Sequence, residues 1–244
     1  MNQLRARRAI KGNVVAAAAG CFLVTAALGL IWAARLSVNR ELYVSELGAA
    51  TMPTARTFEL ALIFVGLGGS LVAWAGRSVR SRLRILALWT PAVSLWVASG
   101  LFLFASQVTC TDRCPLPYGD TFTLQNFLHT LAAVIAFAAA CLAMLQSSFA
   151  QDHRVLRVFS ASMGILVAAI AGAGGILSLL HVQVVLGSRL EFVATTLAIA
   201  WLVVFGVVLT ARGIRDLGEI KRGEAKRGRA VEDSACHEVE QAVR

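Results

Sequence analysis

An all-α fold that lies in a lipid bilayer and crosses it six times is what this sequence predicts, and three observations carry the prediction. Hydrophobic residues make up 57% of the 244 and charged residues only 15%, against roughly 25% charged in a water-soluble domain. The charges cluster between six stretches that contain no Asp, Glu, Lys or Arg: 12–34, 60–76, 85–111, 121–151, 158–188 and 192–211. Nothing alternates apolar and polar over segments of about ten residues, as the strands of a membrane barrel would.

A bilayer core about 30 Å thick needs roughly 20 helical residues, and five of the six stretches meet that length. The second, 60–76, has 17 uncharged residues. It gains its missing turn from 57–59, where the Glu59 carboxylate still reaches water. The first stretch follows Arg5, Arg7, Arg8 and Lys11, which is also how a secretory signal peptide begins. A signal core runs about 7–15 residues, however, and this stretch is longer, so it is read as a retained first helix. The expected organisation is a basic cytoplasmic N-terminus over 1–11, a six-helix transmembrane domain over 12–212, and a charged, partly disordered cytoplasmic tail over 213–244.

Orientation follows from the positive-inside rule. Four basic residues precede the first stretch, Arg77, Arg80, Arg82 and Arg84 follow the second, Arg154 and Arg157 follow the fourth, and eight lie in the tail from Arg212. The opposite side holds only Arg35, Arg40, Arg56, Arg113 and Arg189, outnumbered by Glu41, Glu46, Glu59, Asp112, Asp120 and Glu191. Both termini are therefore predicted to be cytoplasmic, in a plasma membrane. The net charge of +9 reflects topology, because the loops are too short to present a basic groove-reading face to nucleic acid. Lys221, Arg222, Lys226, Arg227 and Arg229 in the tail suit either anionic lipid headgroups or a simply solvated segment.

Helices in lipid associate through close contact at small residues. Gly66, Gly69 and Ser70 in the second stretch and Ala171, Gly172, Gly174 and Gly175 in the fifth are the expected packing patches. Trp89 and Trp96, seven apart, fall on one face of the third predicted helix. They are expected to contact lipid or another helix, with a pocket lining as the alternative.

Two outer connections, 36–56 and 108–124, carry most of the arguable chemistry. Cys110 and Cys114 are separated by three residues in the second, and an oxidising exterior permits a disulfide there. A metal site of the zinc-ribbon kind would need a second Cys pair, which is lacking. Cys21 and Cys141 fall within helices and are read as packing residues. His129 and His181 are predicted near the outer ends of the fourth and fifth helices, whereas His153 and His237 fall on the inner side. Ionisable groups near membrane depth are functional candidates by default, so Ser45, Glu46, Glu59, Asp120, His129, His181, Arg189 and Glu191 form a candidate outer-face group.

That group has three readings. Its members can make ordinary interfacial ion pairs, such as Arg56 with Glu59. His129 and His181, with Asp120 or Glu46, can bind a metal or move protons. Or the group lines a pocket for a lipid headgroup or polar solute, with Arg189 engaging an anion. A pair of haems is not expected, since only two membrane-associated histidines are available and both lie near one surface. A proton-driven transporter usually carries an acid at mid-membrane, and no Asp or Glu occupies the middle of any predicted span.

The order of Tyr43-Val44-Ser45-Glu46-Leu47-Gly48, Cys110, Cys114-Pro115, His129 and Gly187-Ser188-Arg189 resembles the bacterial membrane family catalogued as domain of unknown function 998. The resemblance covers about residues 12–212 and implies a six-helix membrane protein without a settled activity. More distantly, Ser45-Glu46-Leu47-Gly48 resembles a segment of seven-helix membrane hydrolases that gather Ser, Asp and His around zinc. This chain departs from them in lacking a late His-x-x-x-His pair and a seventh span. The leading expectation is an outward-facing polar pocket that binds or senses a small molecule or lipid, or a subunit of an envelope complex with other membrane proteins. The alternatives are an outer-leaflet metal-dependent hydrolase, with His129 and His181 as ligands or bases and Ser45 orienting, and a transporter.

Overall fold

A computed structural model describes residues 2–87, 89–111, 122–151, 154–180 and 182–243. The described residues form helices α1 (Asn2–Leu36), α2 (Ala55–Ala75), α3 (Arg84–Ala87), α4 (Pro91–Gln107), α5 (Leu124–Ser148), α6 (Arg154–Leu179) and α7 (Val184–Val243), with a 3-10 turn at Ser45–Gly48. Five of them, α1, α2, α5, α6 and α7, contain segments long and apolar enough to cross a membrane, and α4 is a shorter apolar helix of 17 residues.

Local chemistry sets several boundaries. Pro91 opens α4 after an extended Thr90, because its fixed φ suits a first helical turn and its missing N–H would lack a partner there anyway. This start excludes Trp89 from the helix, so Trp89 and Trp96 do not share a helical face as expected. Trp96 instead tilts against Trp74, with ring centroids 6.5 Å apart, and donates to the Ser70 carbonyl at 3.2 Å. Thr123 caps α5, its hydroxyl accepting from the Asn126 N–H at 3.2 Å. The uncharged run 158–188 is not one helix. α6 ends at Leu179, the chain reverses through Gln183 in the left-handed region (φ 53°), and α7 begins at Val184. Arg189 and Glu191 therefore lie inside α7, ahead of the predicted sixth stretch. At its other end α7 continues through 213, so the expected tail boundary is not a break in secondary structure.

Six helices close a ring in the order α1, α2, α4, α5, α6, α7 and back to α1. Their connections gather at two ends. At one, Arg77 donates to Asn13 at 2.9 Å, Arg7 pairs with Glu224 at 3.6 Å, and Ser81 bridges Ala150. This is the end with the basic loops. At the other, the Ala50 N–H meets the Cys110 carbonyl and Arg189 meets Glu41. The start of α1 and the later part of α7 thus share the basic end.

Apolar side chains face outward as well as inward. Phe22, Val155 and Ile165 are each more than 70% exposed, as suits a surface solvated by lipid chains. Two polar pairs cross between helices inside: Trp201 donates to Ser160 Oγ at 2.9 Å, and Ser94 donates to Gln146 Oε1 at 2.8 Å. The small-residue expectation holds in α2 but only in part for α6. A Cβ on Gly69 would meet Ser99 Oγ at 2.5 Å, and one on Gly174 would meet Leu190, whereas Gly172 and Gly175 face open space.

Candidate functional site

The site begins with the connection between α1 and α2. Its 3-10 turn, Ser45–Gly48, has no side-chain cap from its own segment, so its first N–H groups need an outside acceptor. Glu191, two turns into α7, supplies it. Its Oε2 accepts from the Val44 N–H at 3.0 Å, and the carboxylate also accepts from the Ser45 backbone. Thr54 ties the turn from the other side by donating to the Leu47 carbonyl at 2.8 Å.

Beneath this turn lies a cavity of about 90 Å³, several times what one water occupies. One stripe of each of four helices lines it: Phe58, Leu62 and Val65 of α2, Leu95, Ser99 and Phe102 of α4, His129, Ala133 and Phe137 of α5, and Glu191, Thr195 and Ile199 of α7. The spacings of three, four, seven and eight are those of a single helical face. The polar lining consists of Ser45, Ser99, His129, Glu191 and Thr195, and everything else around it is apolar. Thr195 is 8% exposed, and its hydroxyl has no hydrogen-bond partner among the described residues.

His129 is 5% exposed, and its Nδ1 lies 2.6 Å from the Val108 carbonyl. A carbonyl oxygen only accepts, so Nδ1 carries the proton, and the ring is fixed against the C-terminal end of α4. Asn126 fastens the same region by exchanging hydrogen bonds with Thr111 at 2.8 and 2.9 Å. Cys110, fully buried, places its Sγ 3.6 Å from the Ser45 carbonyl, close to the turn that roofs the cavity.

Of the residues predicted to gather on the outer face, Ser45, His129 and Glu191 do line one cavity. Glu46 occupies the same 3-10 turn, near enough to Glu191 for the two charges to interact. Glu59 borders a crevice beside it that His129 also lines. Arg189 does not line the cavity. Its side chain is 67% exposed and pairs with Glu41 at 2.9 Å, while Arg35 holds the other Glu41 oxygen at 2.8 Å. The ion pairs at this end among the described residues are thus those of Glu41, not Arg56 with Glu59. Asp120, His181, His153 and Cys114 lie outside the described residues, and with them the second His of the metal hypothesis. Among the described residues no three His, Cys, Asp or Glu are grouped to hold a metal ion. Thr195 and Ser99 escaped the sequence reading because hydroxyls inside apolar helices carry no charge signal, although Thr195 stands exactly one i,i+4 step from Glu191.

The Arg189 guanidinium, hydrogen-bonded to Glu41, holds that carboxyl below its ordinary value, and Arg35 adds to the effect. A lowered folded-state value means that the stabilisation is complete above the unfolded-state value and is lost as pH falls through the folded one. Hydrogen exchange across 37–44, corrected for its intrinsic pH dependence, is therefore expected to rise on acidification through that window. Glu41→Gln should be fast already at neutral pH; an unchanged profile in Glu41→Gln would refute the role of the pair.

Apolar helices joined at two polar ends, with hydrophobic side chains outward and a polar-tipped cavity within, define a multi-pass helical membrane protein. The family described as a protein of unknown function, DUF998, matches residues 15–208, and the chain belongs to that family. No curated protein and no solved structure matches it.

Proposed function

We propose that this is a six-span plasma-membrane protein with both termini in the cytoplasm, whose outward-facing cavity binds a small molecule or lipid. The observation that carries this reading is the meeting of Ser45, His129 and Glu191, from three distant segments, on a cavity that is apolar apart from these and the hydroxyls of Ser99 and Thr195. Apolar walls supply affinity, and a few placed polar groups fix orientation, which is the usual composition of a ligand site.

The sixth crossing is α4. Its 17 residues span about 26 Å at 1.5 Å each, close to the roughly 30 Å core, and it stands in the ring between two longer helices. An even number of crossings agrees with Arg7 and Glu224 meeting at one end. The surplus of basic residues at that end makes it cytoplasmic. The disulfide between Cys110 and Cys114 belongs to the same proposal: Cys21 and Cys141 are free thiols, whereas Cys110 is not.

Three experiments test the reading. Native mass spectrometry of protein released from gentle detergent should find a retained small molecule in the wild type and less of it in Ala198→Trp, which fills the cavity. A wild type that retains nothing would overturn the binding function. For topology, a membrane-impermeant thiol reagent added to intact cells should label Arg40→Cys but not Arg80→Cys, and the reverse would invert the orientation. The same reagent on denatured, unreduced protein should find three of the five Cys reactive; five would exclude the disulfide.

A further inference from the structure

We propose that the cavity takes a single-chain amphiphile whose head is a primary ammonium, with that head at Glu191 and its hydrocarbon chain running inward along the apolar stripe of α7. The proposal rests on the cavity being a ligand site and names the ligand's chemistry.

Charge complementarity is the first argument. Glu191 is the charged residue in the described lining, and no Lys or Arg accompanies it. Arg35 and Arg189, at the same end of the ring, are both engaged by Glu41. What Glu191 receives is neutral backbone N–H, from Val44 and Ser45. A carboxylate in an apolar wall is costly without a cation, and an anionic head would add repulsion from Glu46 in the roofing turn.

The second argument is the number and kind of free acceptors. Thr195 lies one helical turn below Glu191, and its buried hydroxyl lacks a partner among the described residues. A carboxylate oxygen and a hydroxyl on adjacent turns suit a head that donates several hydrogen bonds at once. An ammonium has three donors and no acceptor, whereas a quaternary ammonium has none to give.

The third argument is shape. From Glu191 to Leu202, the lining of α7 extends eleven residues, or about 16 Å along the helix. Below Thr195 the α7 lining is Ala198, Ile199, Trp201 and Leu202, and Ala133, Phe137 and Ala140 of α5 line the same cavity. Polar groups at the outer end and an apolar interior fix the direction of an amphiphile.

Such a head can come from a free long-chain amine or from an aminophospholipid, and the test separates them. The full chain in detergent is titrated by native mass spectrometry with octylamine, octanol, octanoate and a single-chain lysophosphatidylethanolamine. Octylamine is expected to bind at least about tenfold more tightly than octanol or octanoate, the least a charged hydrogen bond gives. Glu191→Gln should abolish that preference, and Ala198→Trp, which leaves Glu191 in place, should block the amine. Lysophosphatidylethanolamine outcompeting octylamine would assign the head to a lipid, and the reverse to a free amine; both outcomes support the ammonium. Octanol or octanoate binding as well as octylamine, sensitive to Ala198→Trp, would overturn the ammonium head while leaving the pocket standing. Binding of none of the four, with nothing retained by the wild type, would overturn both.

Discussion

Gly68→Leu is expected to lower the stability of the protein in detergent by about 1–3 kcal/mol or more, the range for forcing atoms into a packed interior. A Cβ on Gly68 would stand 2.9 Å from the Gly20 carbonyl oxygen, 2.7 Å from Val24 Cγ2 and 3.0 Å from Leu23 Cβ. A Cβ on Gly20 would in turn lie 2.7 Å from the Gly68 carbonyl oxygen. Two glycines thus let the backbones of α1 and α2 touch. Backbone cannot move aside as the end of a side chain can, so any larger residue must part the helices. That separation removes contact along the most extensive helix pair in the ring, and in lipid such contact is what drives association. Gly172→Leu on α6 is the control, since nothing lies within 4 Å of its Cβ position; it should stay within about 0.5 kcal/mol of wild type. Thermal unfolding of both variants in one detergent decides the matter, and equal losses would show that the α1–α2 contact is not special.

The contrast between Gly68 and Gly172 also marks how far the sequence could be read. Runs without charge located the apolar helices, because a charge at membrane depth is too expensive to leave unmarked. They did not locate helix ends. The reversal between α6 and α7 lies inside an uncharged run, and the break before Pro91 does as well. Neither needs a charge, since interfacial residues can turn the chain without one. Small residues were equally ambiguous: Gly172 and Gly175 look like a packing patch yet face outward, whereas Gly20 was not singled out and packs directly on the Gly68 backbone. Which face of a helix meets a neighbour is a tertiary fact. For the site, the unusual composition of the outer face was legible, and so were Ser45, His129 and Glu191 as candidates. That Arg189, two residues before Glu191, turns to the surface while Glu191 turns inward depends on the phase of α7, which the misplaced start of the sixth span concealed.

Glu191→Leu should have the second large effect, because it removes the acceptor that holds the roof of the cavity. Val44 is 6% exposed, and its N–H bonds to Glu191 across 147 positions of sequence. An aliphatic replacement leaves that donor buried and unpaired, at a cost of about 1–3 kcal/mol. Removing a carboxylate from an apolar wall offsets part of this cost, so the comparison that isolates the cap is Leu against Gln. Glutamine keeps an oxygen that can accept from Val44 while giving up the charge. Glu191→Leu is therefore expected to be less stable than Glu191→Gln, and to release 37–54 as well. A Ser45→Cys reporter would read that release as faster modification by an impermeant maleimide in the Leu background, with the Gln background close to wild type. If Leu and Gln prove equally stable and the reporter is modified at one rate in both, the turn is held by the Thr54 hydrogen bond and by the Phe58 ring packed against Gly48. In that event the carboxylate serves only the cavity beneath it.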